Sequence, residues 1–175
     1  CGGALDPRIY AQYQKQQVVR LLTFTIRQKP GKVACVPYVN HLLTLSDVIT
    51  RDRWFDWFQL NTDCCRTACS ILSVLRTAGK NDVGLTVGYN TVTLLIAQLQ
   101  VALDMGDLHA PKHRIPLIEA VLGCLGVVCD LGIVTEPTGA GEALARVCEW
   151  LLLPGTAEGG LQLLAPCCVA LRYFV

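Results

Sequence analysis

Residues Ile115 to Val134 read IPLIEAVLGCLGVVCDLGIV, and how this stretch is read decides the fold. About 20 apolar residues make a helix long enough to cross the hydrocarbon core of a bilayer. His109, Lys112, His113 and Arg114 precede the stretch, and Glu136 and Glu142 follow it. A basic flank before and an acidic flank after is the polarity of a spanning helix that starts on the cytoplasmic side. Two carboxylates lie inside. Glu119 and Asp130 are eleven residues apart, about 20° around a helix, so they share one face and leave the rest apolar. Acids in a membrane helix face a bundle or a wet cavity. The stretch is therefore expected to span a membrane or to be embedded in one. The alternative is a buried helix of an all-α domain with one polar stripe.

Composition leans the same way. The 175 residues suffice for one domain with a sizeable core. Of them 52% are hydrophobic and only 17% charged, with a mean hydropathy of +0.41. Soluble domains carry roughly 25% charge. The net charge of +1 conceals an asymmetry. Residues 1–32 hold Arg8, Lys15, Arg20, Arg27, Lys29 and Lys32 against Asp6 alone. Residues 115–175 hold six acids against Arg146 and Arg172. A basic amphipathic end points to anionic membrane lipids as a partner. Nucleic acid is not expected, because no reading motif interleaves the basic residues.

The chain has 10 cysteines and no secretory signal with a charged start and an apolar core. Most sit in apolar helical contexts, where cysteine acts as a small hydrophobe. They are expected to be reduced and mostly buried, on the cytosolic side of any membrane. A start at Cys1 instead of Met predicts a trimmed N-terminus.

No alternating strand pattern appears, so the expected fold is all-α: a bundle of about six to seven helices in a single domain over 1–175. Basic amphipathic helices are expected over 8–78, apolar membrane-embedded helices over 89–134, and a C-terminal helical hairpin over 142–175. Within the first block, the spacing predicts helices over Arg8–Gln28, Tyr38–Leu60 and Thr62–Ala78. Pro30-Gly31 and Gly79 mark stops. Residues 79–88 read as a loop, followed by an apolar helix from Tyr89 to Met105. Shorter helices are expected over 142–153 and 160–175, the last with Pro166 inside it. Trp54, Phe55, Trp57 and Phe58 form a dense aromatic cluster, equally consistent with a membrane interface and with core packing.

The residues that could carry chemistry do not assemble into a reaction. His109 and His113 have a metal-ligand spacing, but Pro111 between them spoils a regular helix. Cys64, Cys65 and Cys69 lack the paired spacing of structural zinc; acylation of the vicinal pair is the alternative to buried packing. Gly139 and Gly141 mimic the start of a dinucleotide fingerprint, yet Leu144 stands where the third glycine belongs. A turn opening the helix at Glu142 explains them. No enzyme, metal or cofactor is expected.

One resemblance covers nearly the whole chain. Lys15-Gln-Gln-Val-Val-Arg20-Leu-Leu, with Phe24 following, resembles the N-terminal pattern of the peroxin-eleven family, integral proteins that elongate and divide peroxisomes. Toward the other end, Arg146, Glu149, Trp150 to Pro154, Gly159-Gly160, Cys167-Cys168 and Tyr173 look like the family's final helices. The tail departs from the family pattern where Glu149 replaces an Asp and the cysteine pair replaces serines. The resemblance implies a peroxisomal or glycosomal membrane protein that bends a leaflet by inserting a basic amphipathic helix. Lys15, Arg20, Arg27, Arg66 and Arg76 are the candidate lipid contacts. Glu119, Gly123, Gly126 and Asp130 are the candidates for helix packing and self-association. Homo-oligomers and organelle-division factors are the implied protein partners. Two rival readings remain. One is a soluble helical adaptor using the Trp54–Phe58 cluster as a binding patch. The other is a small-solute channel with Glu119 and Asp130 along a polar path.

Overall fold

Proline and glycine punctuate the chain where its helices start and stop. Pro7 and Pro111 each open a helix at the first position, where a missing N–H costs no hydrogen bond. Gly132, at φ +67°, lets the chain turn away after one long helix, and Gly139, at φ +82°, precedes the next. A computed structural model describes residues 7–25, 34–44, 54–76, 84–104, 111–132, 139–153 and 160–174, all of them helices and turns.

The helices are α1 (Pro7–Thr25), α2 (Val39–Leu43), α3 (Trp54–Leu72), α4 (Gly84–Asp104), α5 (Pro111–Asp130), α6 (Ala140–Leu151) and α7 (Leu164–Leu171). Short 3-10 turns at Val36–Tyr38, Ser73–Arg76 and Leu161–Leu163 adjoin α2, α3 and α7. The chain is thus all-α, with seven α-helices among the described residues. The helix expected over Tyr38–Leu60 is not one element. Its first part is the single turn of α2, and Trp54 begins α3, which runs on to Leu72. The helix expected from Tyr89 starts earlier, at Gly84. Pro166 falls in the first turn of α7, where backbone N–H groups have no helical partner, so the helix tolerates it.

The pair α3 and α5 forms the centre. α1 lies on α3, α2 bridges α3 and α4, α4 runs beside α5 and α6, and α7 pairs with α6 while also touching α5. α5 is therefore covered by protein on all but one side. Its Leu117, Ile118, Val121, Cys124, Leu125 and Val128 are wholly buried. Each such side chain removed from water contributes about 1.5–3 kcal/mol.

This placement corrects the spanning expectation for 115–134. Among the described residues, no helix is long and apolar enough to cross a membrane. α5 starts four residues before Ile115, and any 18-residue window of it includes three of Lys112, Arg114, Glu119 and Asp130. Its apolar surface is consumed by contacts with α3, α4 and α7.

Polar ties hold the frame. The buried Gln98 of α4 donates to the Leu43 carbonyl at the end of α2, 2.8 Å away, and accepts from the Cys65 thiol of α3. One side chain thereby satisfies a helix-terminal carbonyl and joins three helices. Thr91 donates to Asn40 at 2.6 Å, and Thr23 meets Thr67 at 2.7 Å across the α1–α3 seam.

Candidate functional surface

α1 turns an apolar face away from the protein. Val19 is wholly buried against the bundle, and Leu22 is partly covered. On the opposite side Tyr10, Tyr13, Val18 and Leu21 are 56%, 59%, 52% and 63% exposed. At 100° per residue these four fall within an arc of about 140°. The helix therefore carries large apolar side chains on two sides, the outward set interleaved with the exposed Gln14 and half-buried Gln17. One is used by the fold and the other is left on the surface.

The predicted basic contacts distribute unevenly around this face. Arg20 is exposed and borders it on the Tyr13 side. Lys15 is half-buried on the far side, at the α3 seam, close enough to bear on Cys64. Burial and then Asp63 push the Cys64 thiol up to about 12, and Lys15 pulls against them. Arg66, on α3, is exposed and paired with Glu119 at 3.5 Å. Arg27 lies outside the described residues. Arg76 closes the turn after α3, and its side chain is likewise outside them. Among the described residues, Arg20 alone of these candidates borders the outward face of α1.

The four helix-packing candidates do share one line. Glu119, Gly123 and Asp130 are exposed and Gly126 is half-exposed, along the one side of α5 that other helices leave open. A methyl group built on Gly126 would meet nothing within 4 Å, and one on Gly123 would stand 4.0 Å from the Cys69 sulfur. Glycine within a helix costs about 0.8–1.0 kcal/mol relative to alanine. No contact among the described residues requires that cost at either position.

A second apolar face lies on the C-terminal hairpin. Leu163, Cys167 and Ala170 point inward from the last turn and α7. Leu161, Val169 and Tyr173 point outward, and Leu152 and Leu153 are exposed at the end of α6. A helix apolar all round is ordinarily buried on every side. The signal was visible in the run LLAPCCVAL, which has no charged or amide side chain. Tyr10, Tyr13 and Leu21 carried no such signal, because spacing alone does not say which side of α1 meets the bundle.

The family-like residues of the tail have structural work. Arg146 donates to Asp104 at 2.5 Å and ties α6 to α4. The guanidinium of the buried Arg114 lies 5.8 Å from the Trp150 ring, a cation–π contact between α5 and α6. Trp57 and Phe58 are buried edge-to-face at 5.1 Å, so these two belong to the core and not to a binding patch. Trp54 and Phe55 have side chains outside the described residues.

An open groove of about 340 Å³ lies between α2 and α4, lined by Asn40, His41, Thr44, Asn90, Thr93 and Leu94. Among the described residues no three His, Cys, Asp or Glu side chains are grouped to hold a metal ion. Comparison with protein families, curated proteins and solved structures finds no match to the chain.

Proposed function

We propose that the chain shapes a membrane from its surface, in the manner the peroxin-eleven resemblance implies, on peroxisomes or glycosomes. The observation that carries this reading is the outward face of α1. Tyr10, Tyr13, Val18 and Leu21 would enter the headgroup region, with Arg20 at their edge meeting anionic lipid. Tyrosine suits that depth, since its ring is apolar and its hydroxyl stays wet. Wedging one leaflet in this way bends it. Self-association would run along the open line of α5, where Gly123 and Gly126 allow a second helix to approach closely. Organelle-division factors would be recruited to such an assembly.

The adaptor reading keeps one observation in its favour. The exposed Leu161 and Val169 of the C-terminal hairpin would suit an apolar helix of another protein as well as they suit lipid. Expression of the tagged chain beside a peroxisomal marker separates the two readings. Co-localisation, with elongated organelles on overproduction, is the expected result. A diffuse distribution with unchanged organelles would leave the adaptor.

A further inference from the structure

Three thiols meet where the C-terminal hairpin closes. Cys148, on α6, is partly exposed. Its sulfur lies 3.5 Å from that of the buried Cys167 on α7, in a thiol–thiol hydrogen bond. Cys167 donates in turn to the Leu144 carbonyl at 3.4 Å, so its sulfur sits across one turn of α6. Cys168, the next residue, is exposed and also bears on Cys148. Cys148 and Cys167 thus come from different helices and share a thiol–thiol hydrogen bond.

We propose that Cys148 and Cys167 form an oxidative modification site, at which a peroxide converts the pair into a disulfide that staples α7 to α6. Exposure sets the order of events, because an oxidant in water reaches Cys148 and not Cys167. The Cys148 thiolate attacks one oxygen of hydrogen peroxide. An S–O bond forms, the O–O bond breaks, and the departing hydroxide takes a proton and leaves as water. The sulfur of Cys167, having lost its proton, then attacks the sulfenic sulfur of Cys148. An S–S bond forms, and the sulfenic oxygen leaves as a second water. Two thiols and one peroxide thus give one disulfide and two waters.

The geometry demands little movement. A disulfide needs its sulfurs at about 2.05 Å, so the pair must close by about 1.5 Å, shared between two helices already in contact. Burial raises the pKa of Cys148, and the hydrogen bond with Cys167 opposes that rise. The thiolate is therefore scarce at neutral pH, and the reaction is expected to quicken as pH rises. The inference does not rest on the membrane reading, since it concerns only the closure of the hairpin. Its consequence is mechanical. α7, apolar on both sides and the last described helix, could no longer leave the bundle.

The test is to treat the full chain with hydrogen peroxide, block the remaining thiols and map the non-reduced peptides by mass spectrometry. A Cys168→Ser variant, run in parallel, removes ambiguity between the adjacent cysteines. The expected result is a Cys148–Cys167 link in both proteins. A Tm about 5–10 °C higher, returned to its starting value by a dithiol reductant, should accompany it. Cys148→Ser should abolish the link and the shift. Because Cys148 is only partly buried, this variant is the safer one for folding than a change at Cys167. Three results would overturn the proposal: a Cys148–Cys168 link, links only between chains, or a Cys148 oxidised further with Cys167 still a thiol.

Discussion

α5 and α1 are opposites in a way that hydropathy alone reverses. α5 is the apolar stretch whose length suggests a bilayer, yet it lies at the centre of the bundle with six of its side chains wholly buried. α1 is shorter of apolar residues and richer in glutamine and basic side chains, yet four of its large apolar residues face outward. The contrast teaches that a hydrophobic run reports burial without saying what does the burying. A large apolar patch left on the surface is the more informative feature.

The comparison can be broken most forcefully at the core. Leu125→Ala in α5 should cost about 2–5 kcal/mol in chemical denaturation. Replacing Tyr13 and Leu21 of α1 together by serine should change stability by less than about 0.5 kcal/mol per site. Equal losses in the two helices would mean that α1 is packed where it now lies open.

The thiols around α5 sharpen the same contrast through pH. Burial raises the folded-state pKa of Cys65 and Cys124 well above the ordinary 9.0, and that of Cys129 to about 11. The unfolded chain ionises these groups first. Stability should therefore hold up to about pH 9 and fall progressively above it, as Tm measured across an alkaline series would show. Flat stability to pH 11 would contradict burial of these thiols.

The open line of α5 predicts a smaller change of opposite sign. Gly126→Ala should stabilise the single chain by about 0.8–1.0 kcal/mol, since the added methyl meets nothing. If self-association uses this line, the same variant should shift sedimentation toward the monomer. The smallest effect belongs to the Arg66–Glu119 pair, more than half exposed on both sides. A double-mutant cycle should return about 0.2–1 kcal/mol, diminishing with added salt.

Much of the fold was legible. The absence of alternation and the glycine turn before α6 follow from local backbone chemistry, whereas Pro111, read as spoiling a helix, opens α5. The shared face of Glu119, Gly123, Gly126 and Asp130 followed from helical periodicity, and they do lie on one line. What surrounds α5 was not legible, because protein and lipid select the same apolar residues. The facing of α1 was hidden for a related reason. Val18 and Val19 are neighbours of equal hydropathy, one outward and one inward, and tertiary contacts with α3 such as Thr23–Thr67 distinguish their sides. Lys15 and Arg20, read as one basic set, are separated by that same rotation.

Vesicle flotation tests the central claim most directly. The full chain would be mixed with vesicles rich in anionic lipid, beside a Tyr13→Ser, Leu21→Ser double variant confirmed to melt at the same temperature. The wild-type chain should float with the vesicles. The variant should stay behind, its affinity lowered by a hundredfold or more, from about 1.5–3 kcal/mol lost per apolar side chain. Undiminished flotation of the variant, or a wild-type chain that never leaves the bottom fraction, would contradict a membrane role for the outward face of α1.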